Sequence, residues 1–115
     1  MSIRIKRVYE PASDNDGYRV LVDRIWPRGV SKQQARLDEW DKGVAPSTEL
    51  RTWFGHDPER FEEFRARYSA ELKGNPSVDG LRERGRDGVL TLVYSAHDEE
   101  HNQAVVLRDV LNSTS

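Results

Sequence analysis

The sequence predicts an α/β fold: a single small layered domain with a short, mostly parallel sheet and helices packed on its faces. Apolar and β-branched residues predict strands over residues 3–8, 18–25 and 89–94. Several amphipathic segments with helical spacing separate the second strand from the third. A long helical connection is what a parallel crossover requires, so we expect the second and third strands to be parallel neighbours or nearly so.

The first strand and the second are separated by a loop. Residues 9–17 are rich in Pro, Ser, Asp, Asn and Gly, which favour turns. The second strand, residues 18–25, is mostly apolar until Asp23. Pro27 lacks the backbone donor that a sheet needs, and we expect it to end this strand.

The middle third of the chain is predicted to be helical. Ser47 is a suitable N-cap for a helix over residues 48–54, and Asp57 followed by a proline begins the next one. Apolar residues then recur at helical spacing, at Phe61, Phe64, Tyr68 and Leu72. A further short helix is expected over residues 78–86.

The C-terminal part combines the most apolar strand with a final helix. Residues 89–94 are almost continuously apolar, which predicts burial on both faces of the sheet. Asp98 is the predicted N-cap of a last helix that runs to about Leu111. We expect one domain over residues 1–112, followed by a short polar tail, residues 113–115.

Composition excludes several classes of protein. The 115 residues suffice for one core, and no apolar run approaches the roughly 18 residues of a transmembrane segment. The chain has no cysteine, which excludes disulfides, thiolate zinc sites and thiol nucleophiles and predicts a cytoplasmic location.

Charge is unevenly distributed along the chain. The net charge is −2, yet residues 1–36 contain eight lysines and arginines against four acids, a net +4. A local basic region on an acidic chain favours a confined anion site over a surface that coats nucleic acid. The last helix also lacks the basic residues of a DNA-recognition helix, so the sequence disfavours DNA binding.

The candidate site lies where the second and third strands end. Parallel strands open at their C-terminal ends on one edge of the sheet, where α/β proteins bind ligands. Arg24 and Arg28 would grip an anion, Trp26 would wall the pocket, and Asp23 would orient an arginine or act as an acid/base. The alternative is an Asp23–Arg24 ion pair with Arg28 in solvent.

The second part of this site follows the third strand. Tyr94 would line the pocket, and His97 and Asn102 would reach a ligand beside the N-terminus of the last helix. His101 is the second acid/base candidate. The alternative for this stretch is surface capping, with Asn102 hydrogen-bonded to a loop.

The sequence predicts neither a metal nor a cofactor. His97 and His101 are four residues apart, as in zinc proteases, but an N-cap at Asp98 would leave His97 outside the helix. The chain also has none of the glycine-rich loops that hold dinucleotides or nucleoside triphosphates.

Four segments resemble the YeaO-like proteins, a branch of domain-of-unknown-function family 488. They are VLVDRIWPRG at residues 20–29, APSTELR at 45–51, LTLVYSA at 90–96 and NQAVVL at 102–107. The resemblance implies a shared fold and site without naming a reaction, although members are sometimes labelled transcriptional regulators. The family tends to have Lys where this chain has His97, and the cysteines of broader relatives are absent.

These observations predict a cleft that binds a small anionic molecule. The chain would be either a small enzyme acting on a phosphorylated or carboxylated metabolite, or a non-catalytic module that senses a ligand or docks a protein partner. No nucleophile–base pair decides between enzyme and module, and the sequence does not determine the oligomeric state.

Overall fold

A computed structural model describes residues 2–113 as a four-stranded parallel sheet with helices against it. The strands are β1 (Ser2–Arg7), β2 (Tyr18–Leu21), β3 (Glu39–Trp40) and β4 (Val89–Tyr94), in the spatial order β1-β4-β2-β3. The α/β class is confirmed, and so is the predicted parallel pairing of β2 with β4. None of the helices within residues 2–113 has the length and apolar character needed to cross a bilayer.

The central strand is the one whose sequence is most apolar. β4 pairs with β1 on one side and with β2 on the other, so its backbone groups are shared between two neighbours. Leu90 and Leu92 belong to the large core on one face of the sheet, whereas Val93 belongs to a smaller cluster on the opposite face. Burial on both faces was the prediction for this strand.

Five helices are present in the described part of the chain: α1 (Lys32–Ala35), α2 (Thr48–Phe54), α3 (Phe61–Leu72), α4 (Pro76–Asp87) and α5 (Gln103–Asn112). Ser47 caps α2 by accepting from the Leu50 N–H, as predicted. Gly55 ends α2 in the left-handed region. The aromatic residues of α3 pack under the sheet with the apolar face of α5.

The smaller core lies on the other face of the sheet. Leu21 and Val93 contribute from the strands, and Ala35 closes the cluster from α1. Trp26 and Trp40 pack against this cluster with their ring centroids 5.3 Å apart, edge to face. The loop after β2 is therefore anchored to the sheet before it turns toward the strand ends.

Sequence reasoning missed two short elements and misplaced two boundaries by four residues each. It assigned neither α1 nor β3, and it extended the second strand to residue 25, whereas β2 ends at Leu21. It also placed the N-cap of the last helix at Asp98, whereas Asn102 is the cap and accepts from the Val105 N–H. Asp98 instead closes the preceding turn by accepting from the N–H groups of residues 100 and 101. Of the predicted tail, Thr114 and Ser115 lie outside the described residues.

A buried charge cluster joins β1, β2 and the turn between them. Asp16 accepts from Arg19 Nη1 at 2.5 Å and from Lys6 Nζ at 3.1 Å. Arg19 is 3% exposed and also donates from Nε and Nη2 to the Ala35 carbonyl. Burial alone raises the pKa of Asp16, but hydrogen bonds from the Ser13 N–H, Lys6 and Arg19 outweigh it and leave the pKa below its usual value. The sequence predicts only a turn-rich loop over residues 9–17.

Candidate functional site

A cleft of about 340 Å³ opens at the C-terminal ends of β2 and β4. Its volume lies at the lower end of the range for small-molecule sites. Residues from the loop after β2, from α2 and its flanks, from the end of β4 and from the start of α5 line it: Tyr9, Asp23, Arg24, Ile25, Trp26, Pro27, Arg28, Ala45, Pro46, Arg51, Phe54, His56, Phe64, Ser95, Ala96 and Gln103. This is the edge of the sheet at which the sequence predicted a ligand.

Asp23 joins the two strand ends. Its Oδ2 accepts from the Ser95 N–H at 3.0 Å and from the Ser95 hydroxyl at 2.5 Å, while Oδ1 accepts from Gln103 Nε2. The backbone carbonyl of Asp23 accepts from Trp40 Nε1 at 2.7 Å. The Ser95 N–H thus donates to the Asp23 carboxylate in place of a backbone carbonyl of the neighbouring strand. This explains why the regular pairing of β2 with β4 ends just before Asp23.

The environment of Asp23 opposes its ionisation. The residue is 7% exposed, and burial raises the pKa of its carboxyl. Hydrogen bonds from Ser95 and Gln103, together with the nearby His56, favour the charged form and offset only part of this effect. A carboxyl with a raised pKa in a cleft is a feature of many functional sites.

Three arginines line the cleft beside this one carboxylate. Arg24 and Arg28 come from the loop after β2, and Arg51 comes from α2. Among residues 2–113, no carboxylate lies within ion-pair distance of any of these three guanidinium groups. The cleft is therefore locally positive on a chain whose net charge is −2.

The geometry does not contain the Asp23–Arg24 ion pair considered as the alternative. Arg24 instead donates from Nε to the Pro46 carbonyl at 3.2 Å and from Nη2 to the Ala45 carbonyl at 3.4 Å. These contacts hold the half-buried guanidinium against the segment before α2 without neutralising its charge. Arg24 can therefore still bind an anion.

Two hydrogen bonds hold the loop that presents Arg28. Trp26 donates from Nε1 to the Val30 carbonyl at 2.8 Å, and the Tyr9 hydroxyl donates to the Arg28 carbonyl at 3.0 Å. Trp26 lines the cleft, and within residues 2–113 its ring packs edge to face on Trp40 and not on a guanidinium. The exposed Arg28 side chain projects from a backbone that its neighbours fix.

Apolar groups complete the opening of the cleft. Ile25 is 58% exposed and Tyr9 is 48% exposed, and these are the large hydrophobic residues most open to solvent in the described part of the chain. Both line the same cleft as the three arginines. A ligand with an apolar portion beside its charged group would fit this combination.

Four residues predicted for the site do not line this cleft. Tyr94 is buried in the large core, and Asn102 is occupied in capping α5 and in donating from Nδ2 to the Asp98 carbonyl. His101 bonds Asp98 through Nδ1 and meets Phe61 edge to face, and His97 is exposed. Asn102 bonds a loop carbonyl, as the capping alternative expected, but it is 1% exposed and so does not lie at the surface.

The structure adds lining residues that sequence reasoning did not single out. Arg51 and His56 reach the cleft from the two ends of one short segment, and Gln103 reaches it from the first turn of α5. His56 has a positive φ of 57°, which turns the chain sharply after Gly55. Arg51 and Gln103 lie inside segments that carry the family resemblance, and this was the one available signal.

No cluster of three or more metal-ligating side chains occurs within residues 2–113. Asp23 and His56 are the acidic and imidazole groups that line the cleft. The groups available for chemistry at the site are guanidinium groups, one carboxylate, one imidazole, hydroxyls and an amide.

A family model described as the inactive DUF488-N3 subclade matches residues 2–115. The chain belongs to this family. It is 48% identical to an uncharacterised Escherichia coli protein, YeaO, over 114 residues that cover 98% of this chain and 99% of YeaO. It is also 46% identical to an uncharacterised Mycobacterium tuberculosis protein over 96% of this chain and 93% of the relative. No solved structure matches the chain significantly.

Membership in the DUF488-N3 subclade confirms the resemblance to YeaO-like proteins. The family description names no ligand and describes its members as inactive. Identity near one half over almost the whole chain indicates that these relatives share the fold described above.

Proposed function

We propose that this DUF488-N3 protein binds a small anionic metabolite in the cleft at the strand ends and returns it chemically unchanged. The observation that supports this proposal is the group of three arginines around a single carboxylate. Arg24, Arg28 and Arg51 have no acidic partner within residues 2–113. Guanidinium groups match phosphate and carboxylate through paired hydrogen bonds.

Binding without turnover agrees with the engagement of Asp23 and with the family description. A general base needs a free lone pair aimed at the proton it removes. Asp23 already accepts three hydrogen bonds from protein groups, which leaves about one of the four lone-pair positions of its carboxylate to take a proton. The subclade to which the chain belongs is described as inactive.

Thermal unfolding in the presence of anions tests this function. The probes are phosphate, sulfate, nucleotides, sugar phosphates and small carboxylates, and a ligand at 100 times its dissociation constant stabilises a fold by about 2.7 kcal/mol. For a domain of this size such a gain raises the unfolding midpoint by several degrees. We expect at least one class of anion to produce this shift.

The Arg28→Ala variant tests whether the anion binds in this cleft. Loss of a charge-assisted hydrogen bond should weaken affinity about 10- to 100-fold, while the backbone contact from Tyr9 remains. Arg86→Ala is the matched control, because Arg86 is an exposed arginine of α4 that does not line the cleft. Equal affinities in the wild type and in both variants would contradict the proposal.

A catalytic use of the same cleft is a second candidate, favoured by one contact. The Ser95 hydroxyl lies 2.5 Å from a carboxylate whose pKa burial raises, and this pair could exchange a proton with a ligand. The two functions differ in the fate of the ligand. Incubation of a bound ligand with the protein, followed by mass spectrometry, returns the same mass for a binding protein and a new mass for an enzyme.

A further inference from the structure

The floor of the cleft differs in character from its rim. Asp23 lies at the floor with Ser95 and Gln103, and all three belong to one hydrogen-bonded group. The side chains of Arg28 and Arg51 are exposed and lie toward solvent. Arg24 is half-buried, so the cleft is polarised by its two exposed guanidinium groups toward solvent and a buried carboxylate inside.

Both carboxyl oxygens of Asp23 act as acceptors, since Oδ2 accepts from the Ser95 backbone N–H and Oδ1 accepts from Gln103 Nε2. A carboxylate only accepts, so the Ser95 hydroxyl must donate its single proton to Oδ2. For the same reason, the Gln103 amide must turn its nitrogen toward Oδ1, which leaves Oε1 on the opposite side. Ser95 therefore uses its hydroxyl proton, and Gln103 uses one amide N–H, in hydrogen bonds to Asp23.

What remains at the floor is mainly hydrogen-bond acceptors. Oδ1 of Asp23 accepts one protein hydrogen bond and keeps lone-pair capacity, and the Ser95 hydroxyl keeps its oxygen lone pairs. Gln103 Oε1 has no donor within residues 2–113, and no fully buried side-chain polar atom of this part of the chain lacks a partner. Oε1 is thus open to solvent, and the second N–H of the amide is the one donor left.

We infer that the ligand of this cleft carries a protonated amine on the end that reaches the floor, opposite its anionic group. An ammonium brings three N–H donors and a positive charge, and the floor presents three acceptors, one of which is an oxygen of the Asp23 carboxylate. The chemical class is a small zwitterion, such as an amino carboxylate or an aminoalkyl phosphate. This inference rests on the proposed function, since the arginines bind the anionic end.

Matched pairs of ligands that differ only in the amine test the inference. We would titrate the protein calorimetrically at pH 7 with β-alanine and propanoate, 4-aminobutanoate and butanoate, and phosphoethanolamine and ethyl phosphate. In the pair that fits, the amine should bind at least about 10-fold more tightly, as expected for charge-assisted hydrogen bonds.

Variants of the floor residues test whether these residues cause the preference for the amine. Asp23→Asn should bring the affinity ratio of the pair close to one, because an amide replaces the carboxylate. Ser95→Ala should reduce the ratio, and it serves as the second variant if Asp23→Asn does not fold by circular dichroism. Arg28→Ala should weaken both members of the pair and leave their ratio unchanged.

The outcomes separate the two proposals. Equal binding of amine and parent anion, with dependence on Arg28, would overturn the zwitterion and leave the anion-binding function in place. An unchanged ratio in a folded Asp23→Asn protein or in Ser95→Ala would also overturn it. No binding by any anion, with or without an amine, would overturn the proposed function itself.

Discussion

At the scale of single residues, the burial of the Asp23 carboxyl should lower the free energy of unfolding at pH values where the group is ionised. Its carboxyl has a raised pKa in the folded state because burial outweighs the hydrogen bonds from Ser95 and Gln103. The unfolded chain ionises this group near the ordinary value of 3.8. Stability attributable to Asp23 therefore falls as pH rises from about 3.8 through the folded pKa, and it stays lower above that range.

The Asp23→Asn substitution should stabilise the protein without ligand. Asn offers Ser95 the same acceptor and can donate to Gln103 after the Gln103 amide turns over, so the hydrogen bonds persist while the buried charge is lost. We expect a gain of roughly 0.5–2 kcal/mol at pH 7 that shrinks toward pH 3.5. Urea unfolding of both proteins at several pH values measures it, and a less stable variant at pH 7 would contradict the argument.

At the scale of elements, Gly17 allows the start of β2 to lie close to the start of β4. It has a φ of 64°, and a Cβ built on it would lie 2.3 Å from the Val89 carbonyl oxygen at the start of β4. Glycine is therefore needed both for its backbone conformation and for the close contact. The two strands could not begin side by side with a side chain at this position.

Gly17→Ala should destabilise the fold more than a positive φ alone explains. Gly74→Ala is the matched control, because Gly74 has a φ of 76° and no atom within 4 Å of the added carbon. Alanine in the left-handed region costs about 1–2 kcal/mol at either site, and the clash should add about 1–3 kcal/mol at Gly17. Denaturant unfolding measures the difference, and equal losses would contradict the role given to the contact.

The elements also show where sequence reasoning succeeds. The apolar run of β4 and the spacing of the α3 aromatics are local signals, and each predicted its element. β3 has two residues and exists through pairing with β2, so no local pattern marks it. The cap of α5 was ambiguous because Asp98 and Asn102 are both good capping residues, and the path of the chain after β4 decides between them.

The residues of the candidate site also fall into two groups, those that local sequence could predict and those that it could not. Arg24 and Arg28 could be predicted from the sequence, because the loop directly after β2 positions them and ligands bind where parallel strands end. Arg51 and Gln103 reach the cleft only through the packing of α2 and α5 on the sheet, which no spacing in the sequence encodes. His101 does not line the cleft, because α5 begins after it and not before it.

At the scale of the whole molecule, positive charge is concentrated at one cleft of an acidic protein. We expect no binding of duplex DNA tighter than about 10⁻⁴ M at physiological salt, because phosphate contacts over an extended surface provide most non-specific affinity. Fluorescence anisotropy with a labelled duplex at several salt concentrations measures this. Micromolar affinity that falls steeply with salt would favour the regulator label of the family resemblance.

The order of the strands determines when the chain can fold during synthesis. The central strand β4 is the last one made, and β1 and β2 each pair with it and not with each other. Until residues 89–94 have left the ribosome, the two earlier strands have no partner between them, and most of the sheet must wait for the nearly complete chain. Such distant pairing slows folding and lengthens the time that unpaired strands are exposed to chaperones. A nascent chain stalled before Val89 should therefore remain sensitive to protease over its entire length.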